Sequence, residues 1–510
     1  MTMRASLRDD EAGSGDCDLL VVGGGINGAG IARDAAGRGL RVVLCEQDDL
    51  AAHTSSASSK LIHGGLRYLE RCEFGLVRKS LREREVLIEA APHLIRPLRF
   101  VLPHAPHLRP VWMIRLGLWL YDHLARRRRL PASAVVDLAG DVVLQPQFTR
   151  GFAYSDGWCD DARLVVAAAR DAAEHGARVL TRTRCARLQR EAEGWSAELE
   201  TADGRRLPLR ARAVVNATGP WVAAFLQQIA RQPARHALRL VRGSHIVVPR
   251  RSGQETAYVL QSEDRRIVFA LPYEGAFTLI GTTDVDVADD PTAARISPAE
   301  IDYLCSLANC YFREPVSAAD VVWSYAGVRP LLYDDATDPA ATTRDYLLDL
   351  DAAAAPLLSV YGGKITTFRR LAEEAVDLLC GALRLAAPAW TRAAPLPGGD
   401  IAGADFAHFL QQLAQRCAWL PAPLRERYAR AYGSRALRLL GEARRLQDLG
   451  EEVLPQLFAA EIDYLRREEW AQIAEDLLWR RSKLGLHLPP DAAARLDEWL
   501  ARHPLATTSM

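Results

Sequence analysis

Lysine is nearly absent from this chain of 510 residues: only four of its 64 basic residues are lysines, Lys60, Lys79, Lys364 and Lys483. A chain that uses arginine almost everywhere keeps lysine where a compact, flexible ammonium is needed. Lys60 and Lys364 lie in loops rich in glycine and hydroxyl side chains, whereas surface positions suit the other two better. The loop lysines are therefore candidate functional residues.

Other features that the sequence lacks exclude several classes of protein. Basic and acidic residues are equal in number, so no overall field favours nucleic acid. The nine cysteines contain no CxxC pair and no metal-ligand spacing, which predicts reduced thiols and no metal site. Residues 1–18 contain no apolar signal-peptide core, and no apolar run is long enough to span a bilayer. We expect a protein that is made in the cytoplasm and stays on that side.

A dinucleotide-binding fingerprint occupies Leu19 to Glu46. An apolar strand runs into Gly23-Gly24-Gly25-Ile26-Asn27-Gly28, and a helix of small residues and a second strand follow. The glycines allow a tight turn and bring the helix N-terminus close to a pyrophosphate. Glu46 ends the second strand, where an acid accepts hydrogen bonds from the adenosine ribose. The sequence therefore predicts a bound dinucleotide.

The glycine fingerprint occurs once, so no second site is predicted for a pyridine nucleotide. A strand-like run at 211–218 ends at Gly219, where a turn could approach the same cofactor, although an ordinary strand end explains it equally well. A flavin without a nicotinamide partner most simply takes electrons from an organic substrate. The pattern favours a flavin-dependent dehydrogenase or oxidase.

The order of the predicted elements indicates an α/β fold with an insertion. Helices are predicted at 76–91 and 160–176, and short alternating strands between 238 and 286 are typical of an antiparallel sheet. Beyond 397 the composition becomes helical. We predict a Rossmann-like FAD domain with an inserted antiparallel substrate domain, together covering 1–395, and a helical C-terminal domain at 396–510. The FAD-binding segments are placed at about 16–75, 150–235 and 320–385, and the substrate domain at about 76–149 and 236–319.

Seven further motifs follow the fingerprint: Ser55–Glu70, Pro110–His123, Gly243–Pro249, Ile280–Asp284, Tyr325–Leu331, Tyr361–Thr367 and Trp479–Gly485. Together they cover nearly the whole chain, and in this order they resemble the respiratory, FAD-dependent glycerol-3-phosphate dehydrogenases. One departure is Ser482, where threonine is expected.

The resemblance implies oxidation of sn-glycerol 3-phosphate to dihydroxyacetone phosphate through FAD, with electrons passed to ubiquinone or menaquinone. It also implies a fold like that of glycine and D-amino-acid oxidases, with an added helical C-terminal domain. The expected location is the cytoplasmic face of the bacterial inner membrane, as a peripheral protein. The sequence does not fix the oligomeric state, and a homodimer is one of the states that it allows.

The fingerprint and the resemblance together predict a set of cofactor contacts. Glu46 is the firmest of them, because it completes the fingerprint. Lys364 is expected near the flavin, where a cation steadies a reduced, anionic ring. The predicted cofactor-binding residues are Gly23, Gly24, Gly25, Ile26, Asn27, Glu46, Ser58, Ser59, Lys60, Gly64, Gly219, Gly363, Lys364 and Thr366.

Oxidation of a secondary alcohol needs a base, a hydride acceptor and a clamp for the substrate. Arginine's planar fork suits a phosphate, so Arg329 is the leading clamp candidate, with Arg67 and Tyr68 next. His245 is the most plausible base, because imidazole titrates near neutral pH. A structural role for His245 is equally open, in which case Arg329 helps to orient or deprotonate the hydroxyl. His63 and Tyr68 could instead pack beside the flavin ring. Arg329, His245 and Lys364 form the predicted catalytic set.

The segment Arg109–Arg129 combines two tryptophans, a tyrosine and aliphatic residues with a basic cluster. Such a helix can lie in a membrane interface. Taken alone, the segment is interpreted more simply as a buried core helix followed by a basic loop. A quinone acceptor favours membrane contact, because quinones reside in the bilayer.

Three other functions stay open at this stage. A soluble glycerol-3-phosphate oxidase would pass electrons to dioxygen, and peroxide yield would reveal it. A flavin-binding regulatory protein without catalysis is opposed by the presence of Arg67, Arg329 and Lys364. An amino-acid oxidase of the same fold is compatible with the fingerprint, but no residue specifically favours it.

Overall fold

The computed structural model describes residues 16–105, 109–262, 266–287, 290–333 and 345–505. The predicted lack of a signal peptide concerns mainly residues 1–15, which lie outside these ranges. All nine cysteines lie inside them and are free thiols, as predicted.

The strands of the described residues are β1 (Asp16–Val22), β2 (Val42–Cys45), β3 (Leu61–Ile62), β4 (Ile95–His104), β5 (Ala134–Asp137), β6 (Arg150–Cys159), β7 (Arg178–Leu180), β8 (Thr183–Arg190), β9 (Trp195–Thr201), β10 (Arg206–Asn216), β11 (Leu238–Pro249), β12 (Ala257–Gln261), β13 (Ile267–Tyr273), β14 (Phe277–Gly281), β15 (Val285–Asp286), β16 (Trp323–Leu332), β17 (Tyr346–Asp351), β18 (Leu357–Gly362), β19 (Glu452–Leu454) and β20 (Leu457–Phe458).

The α-helices are α1 (Ile26–Gly37), α2 (Phe74–Ala90), α3 (Val111–His123), α4 (Asp161–Glu174), α5 (Val222–Ala224), α6 (Pro298–Asn309), α7 (Phe368–Leu383), α8 (Phe406–Arg416), α9 (Ala422–Tyr432), α10 (Ala436–Leu440), α11 (Ala459–Glu469) and α12 (Ala492–Arg502). The predicted helices at 76–91 and 160–176 correspond to α2 and α4.

The first sheet, here called the nucleotide sheet, has the strand order β17-β18-β10-β1-β2-β7. β1, β2, β7, β10 and β18 are parallel, whereas β17 is antiparallel to β18. β2 and the Leu19–Val22 part of β1 are apolar and buried, as expected for strands covered on both faces. The small residues of α1 let it pack closely against α4 and α7. This is the predicted dinucleotide-binding unit.

The second sheet, here called the substrate sheet, has the order β15-β11-β14-β13-β12-β4-β6-β3, with β16 paired to β11 and β5 to β6. Most of its pairs are antiparallel, as the alternating pattern predicts, and β12 with β4 is a parallel pair. Ala153, Ile246 and Val268 are among the buried side chains of its main core. The sheet therefore has a core distinct from that of the nucleotide sheet.

The two sheets do not follow the predicted segment boundaries. β3, β6 and β16 fall in segments assigned to FAD binding, yet all three belong to the substrate sheet, and the FAD contacts of these segments stay predictions. β6 pairs with β4 over ten residue pairs, and β16 pairs with β11 over ten. These partners are distant in sequence, so local composition could not reveal the pairing.

The C-terminal region contains α8 to α12 and the small β19–β20 sheet, as the helical prediction anticipates. It has its own apolar core, which includes Leu413, Ile462 and Leu496. It is also attached to the nucleotide sheet by buried charges. Arg481 donates to both carboxylate oxygens of Asp49 at 2.7 Å, and Arg480 donates to Asp49 Oδ2 at 2.7 Å.

Candidate functional site

β1 ends in a glycine turn that leads into α1, as the fingerprint predicts. Gly23 has a φ of +112°, which glycine adopts without strain. A Cβ on Gly28 would meet the Gly23 carbonyl oxygen at 1.9 Å, so the turn and the helix pack backbone against backbone. The N-cap residue Gly25 contributes no side-chain cap. The start of α1 is therefore suited to phosphate oxygens.

Glu46 lies directly beside this turn. Its Oε2 accepts a hydrogen bond from the Gly24 N–H at 2.6 Å, and its Oε1 accepts one from the Asp48 N–H at 2.9 Å. Burial raises the pKa of the Glu46 carboxyl, and the Asp48 and Gly24 N–H groups oppose that shift. The backbone thus orients an acceptor where the fingerprint places the ribose.

A cavity of about 320 Å³, here called the cofactor cavity, adjoins the turn. His53 and Trp221 also line it, and their ring centroids lie 4.9 Å apart in an edge-on arrangement. Backbone N–H groups, an acid and aromatic surface together fit an adenine dinucleotide such as FAD. Seven predicted cofactor residues line it: Gly23, Gly25, Ile26, Asn27, Glu46, Gly219 and Gly363.

Lys60, a predicted cofactor-binding residue, does not line the cofactor cavity, and its cofactor contact stays a prediction. Its ammonium is buried and lies 2.8 Å from Asp161 Oδ1, and it donates to the Ser56 carbonyl at 3.1 Å. Ser58 Oγ donates to the other oxygen of Asp161 at 2.7 Å. Burial lowers the pKa of Lys60, but Asp161 more than offsets this and the net shift is upward. Lys60 and Ser58 therefore fix the loop through their side chains.

Three other predicted cofactor residues also have protein partners and do not line the cofactor cavity. Their cofactor contacts stay predictions. The contacts are Ser59 Oγ to His245 Nε2 at 2.9 Å, the Gly64 N–H to the Tyr121 hydroxyl at 2.8 Å, and the His63 N–H to Thr366 Oγ1 at 3.1 Å.

A second cavity of about 1240 Å³, here called the substrate cavity, lies on the other side of β16. Arg329 lines the substrate cavity, and the next residue, Pro330, lines the cofactor cavity. Successive residues of a strand face opposite sides, so β16 separates the two spaces. The predicted substrate residues Arg67, Tyr68 and Arg329 all line the substrate cavity. Its other charged or polar lining residues include Glu70, Arg71, Arg109, Gln261, Thr282 and Asp284.

The Arg329 guanidinium is held by acceptors from the loop after β14. Its Nη2 lies 2.7 Å from Asp284 Oδ1 and donates to the Thr283 carbonyl at 2.7 Å. A Cβ on Gly243, on the neighbouring strand, would come within 2.5 Å of Nη2. Two acceptors and the space beside a glycine therefore set the position of Arg329.

Lys364 lies beside Tyr68, and the predicted roles of both residues stay predictions. Its ammonium lies 3.8 Å from the centroid of the Tyr68 ring, a cation–π distance. It follows Gly363, which has a φ of +103° and lines the cofactor cavity. Lys364 and Tyr68 therefore link the two cavities.

His245 is buried behind the residues that line the substrate cavity. Its ring stacks on Tyr325 with centroids 4.8 Å apart, and its Nε2 lies 2.9 Å from Ser59 Oγ. Burial, with the charges of Lys60 and Arg329, holds the pKa of His245 well below its usual range. The imidazole is neutral at physiological pH, as a proton acceptor must be. Its role as base stays a prediction.

Two carboxylates of the substrate cavity were missed by sequence reasoning. Glu70 pairs with Arg109 and Asp284 pairs with Arg329, so each carboxylate is matched to an arginine. Arg109 Nη1 also donates to Gln261 Oε1 at 2.7 Å. Asp284 ends the motif Ile280–Asp284, which was the available signal, although the motif does not reveal its partner.

α3 presents an apolar face to solvent. Trp112, Leu116 and Trp119 are 68%, 49% and 56% exposed and recur at helical spacing. Leu116 also lines the substrate cavity, as do Ile114 and Gly117 on the same helix. Within the ranges that the structure describes, no helix is long and apolar enough to cross a membrane.

The glycine turn, Glu46 and the cavities that adjoin them fit one class of protein, the FAD-dependent oxidoreductases. The family model described as FAD dependent oxidoreductase matches residues 18–369. The model for the C-terminal domain of alpha-glycerophosphate oxidase matches residues 389–501.

Named relatives narrow this class. Glycerol-3-phosphate dehydrogenase of Pseudomonas aeruginosa is 56% identical over 490 residues, with 96% of each chain covered. Aerobic glycerol-3-phosphate dehydrogenase of Escherichia coli and D-erythritol 1-phosphate dehydrogenase of Brucella abortus are each 50% identical, over 95% of this chain and 97% of theirs. The chain belongs to the FAD-dependent glycerol-3-phosphate dehydrogenase family.

A solved structure supports the same fold. Glycerol-3-phosphate dehydrogenase from Bacillus halodurans, complexed with FAD, has a TM-score of 0.78 and 28% identity, with 96% of this chain and 90% of that chain covered. The predicted family, fold class and cofactor are thereby confirmed.

Proposed function

We propose that this protein oxidises sn-glycerol 3-phosphate to dihydroxyacetone phosphate. The observation that carries the proposal is the arginine-lined substrate cavity, separated from the cofactor cavity by β16. The family relationship indicates the substrate class. FAD, when bound, supplies the hydride acceptor.

Each predicted site residue has a proposed task in this reaction. Arg67 and Tyr68, on the loop after β3, hold the phosphate end of the substrate. Arg329 donates hydrogen bonds to the hydroxyl that is oxidised, because its guanidinium is fixed on the wall nearest the cofactor cavity. His245 accepts the hydroxyl proton, and Lys364 places a positive charge between the cavities.

The direct test is anaerobic addition of glycerol 3-phosphate to the purified, FAD-loaded protein. We expect the flavin absorbance to bleach rapidly, and glycerol without phosphate to bleach it far more slowly. A protein that retains FAD but is not bleached by glycerol 3-phosphate would contradict the proposed substrate.

A second substrate is suggested by one relative, which is named for D-erythritol 1-phosphate. Bleaching rates for the two phosphates, measured in parallel, decide between them. We expect glycerol 3-phosphate to react faster, because the relative that shares more of the sequence is named for it.

We further propose that electrons leave to a membrane quinone, ubiquinone or menaquinone, and that α3 rests on the cytoplasmic face of the inner membrane. Trp112, Leu116 and Trp119 form an exposed apolar strip, which suits an interfacial helix. Reoxidation of the bleached flavin by a soluble quinone, with little peroxide formed in air, would support this acceptor. A high peroxide yield would favour the oxidase alternative.

The basic cluster after α3 contributes less to the proposed contact than its sequence predicts. Arg127 pairs with Asp122 at 3.0 Å and Arg128 with Glu89 at 3.2 Å, while Arg129 donates to backbone carbonyls. Trp112→Ser with Trp119→Ser should therefore weaken vesicle binding more than Arg128→Ala. Equal binding by all variants would remove α3 from the interface.

A further inference from the structure

Tyr121 is a buried tyrosine of α3 whose hydroxyl joins two parts of the molecule. It accepts a hydrogen bond from the Gly64 N–H at 2.8 Å and donates to the Asp156 carboxylate, whose two oxygens lie 2.9 and 2.8 Å away. All three residues are buried. Buried polar groups are costly when they have no partner, so this one hydroxyl satisfies both an amide and a carboxylate that water does not reach.

The hydroxyl is itself held in place from behind. Asp156 lies on β6 and accepts a hydrogen bond from Arg84 Nη1 of α2 at 2.6 Å, and Arg84 is also buried. Burial and the charge of Asp156 hold the pKa of Tyr121 well above its usual range, although the Arg84 charge opposes that shift. The hydroxyl therefore stays protonated at physiological pH. It donates its proton to Asp156 and keeps its lone pairs for the Gly64 N–H.

The amide that Tyr121 holds belongs to the loop that carries two predicted substrate residues. Gly65 follows it with a φ of +79°, and a Cβ on Gly65 would meet the Tyr68 ring at 2.1 Å. The Tyr68 N–H donates to the Gly65 carbonyl at 3.0 Å. The Tyr68 ring thus lies directly on the glycine beside the fixed amide, and Arg67 precedes it in the same short helix. A shift of Gly64 would therefore carry both side chains with it.

The preceding amide of this loop is fixed from the cofactor side. The His63 N–H donates to Thr366 Oγ1 at 3.1 Å, and Thr366 lies two residues after Lys364. Consecutive amides of one loop are thus tied to two different elements, the segment after β18 and the helix α3. The bond to Tyr121 involves no predicted cofactor side chain, so it can be removed without altering one.

We propose that Tyr121 is a positioning residue for substrate binding, which acts through the Gly64 amide on the loop of the substrate cavity. The inference rests on the proposed function, which assigns the phosphate of the substrate to Arg67 and Tyr68 on that loop. Tyr121 does not line the substrate cavity, so it acts only through the loop. Without its hydroxyl, the Gly64 N–H is buried without an acceptor, and the loop must shift to satisfy it.

Tyr121→Phe removes the hydroxyl and keeps the ring in its core. Two measurements are made on the FAD-loaded enzyme: KM and kcat for glycerol 3-phosphate, and the Kd of dihydroxyacetone phosphate for the oxidised form, read from the flavin spectrum. We expect KM and Kd to rise about tenfold, the effect of about one buried hydrogen bond. We expect kcat to change much less, because Arg329 is held by Asp284 on another element. FAD should stay bound.

Hydrogen–deuterium exchange of the holoenzyme without substrate measures the loop directly. The peptide that contains residues 63–71 should exchange faster in Tyr121→Phe than in the unmodified enzyme. Tyr432→Phe is the matched control, because its buried hydroxyl also donates to a carboxylate, Glu461 at 2.5 Å, but in the C-terminal core. The control should leave KM, Kd and the exchange of this peptide unchanged.

An original KM and Kd in Tyr121→Phe, or an equal rise in both variants, would mean that Tyr121 only stabilises the fold, and the inference is wrong. Loss of FAD from Tyr121→Phe would also overturn it, because the hydroxyl would then serve the cofactor. If Tyr121→Phe does not fold, Asp156→Asn takes its place, since it keeps the hydroxyl but weakens its anchor. KM should then rise by a smaller factor, and no rise would contradict the inference.

Failure of the proposed function gives a different result. The unmodified enzyme would then not oxidise glycerol 3-phosphate at all. Faster exchange of the 63–71 peptide in Tyr121→Phe would still support the positioning of the loop by Tyr121, because that measurement needs no substrate.

Discussion

The cofactor cavity and the substrate cavity lie on two sides of one strand, yet they are built by different means. The cofactor cavity is formed largely by backbone: a glycine turn, the start of a helix and one acid, Glu46, oriented by two N–H groups. The substrate cavity is formed by long charged side chains that are held by one another, such as Arg329 by Asp284. The glycine turn and Glu46 lie within the fingerprint Leu19–Glu46, although Gly219, Pro330 and Gly363 also line the first cavity, whereas the second cavity joins loops that are hundreds of residues apart and has no such local core.

This difference predicts how each site tolerates change. A site made of backbone should lose affinity in modest steps when one side chain is altered. A site made of paired charges should lose turnover steeply, because an arginine moved by 1 Å no longer orients the substrate. Four variants test the contrast.

The largest effect is expected for His245→Asn. Loss of a general base typically costs about 100- to 10,000-fold, so kcat should fall by that amount while FAD stays bound. His175→Asn, at the exposed end of α4, is the control and should retain activity. Normal turnover by His245→Asn would assign the base to another group.

The pH dependence of the unmodified enzyme tests the same assignment. Burial and then the charges of Lys60 and Arg329 lower the pKa of His245, so its neutral form persists below the usual value of about 6.5. We expect kcat/KM to stay level as pH falls through 6.5 and to decline only at lower pH. A decline centred near 6.5 would contradict this environment for the base.

The next largest effect is expected for Arg481→Ala, which tests the support beneath the cofactor cavity. Arg481 is fully buried, and its removal leaves Asp49 with the single guanidinium of Arg480. Breaking a buried pair lowers the free energy of unfolding by about 3–5 kcal/mol. We expect a value near the lower end, because Arg480 still neutralises Asp49. Urea unfolding measures this loss of stability. Arg444→Ala is the control, because it removes an exposed pair with Glu442, and it should change the free energy of unfolding by less than about 0.5 kcal/mol.

Gly243→Ala tests the placement of Arg329 without removing any charge. The added methyl would lie 2.5 Å from Arg329 Nη2, so the guanidinium must shift. We expect kcat/KM to fall about 100-fold with FAD binding unchanged. Gly140→Ala, which has no neighbour within 4 Å, is the matched control. Full activity in Gly243→Ala would mean that Arg329 needs no exact position.

The smallest effect is expected for Glu46→Gln, on the backbone side of the comparison. The amide keeps one acceptor, but an NH2 group replaces the second carboxylate oxygen, so the ribose that the fingerprint places there loses one charged hydrogen bond. Such bonds contribute about 1.5–3 kcal/mol, which corresponds to a weakening of FAD affinity by roughly 10- to 150-fold. A fluorescence titration of the apoprotein with FAD measures it. An unchanged affinity would remove Glu46 from the cofactor site.

The same contrast explains what the sequence could predict. Glu46 and the glycine turn are local, and their spacing alone places them in the cofactor cavity. Arg329 was found through its motif, but its partner Asp284 lies in the loop after β14 and could not be paired in advance. The ion pair of Lys60 with Asp161 could not be predicted, because only the fold brings Asp161 to this loop. The sheet membership of β3, β6 and β16 could not be predicted for the same reason, since long-range pairing leaves no local pattern.

The contact of Arg480 and Arg481 with Asp49 has a consequence for the order of assembly. Asp49 follows Glu46 by three residues, at the very start of the nucleotide-binding region, whereas its arginine partners lie close to the end of the chain. During synthesis, the region that receives FAD therefore emerges long before the residues that neutralise its buried acid. Capture of FAD in a stable form is thus a late event in biogenesis. A ribosome-bound chain that stops before residue 480 should retain the cofactor poorly.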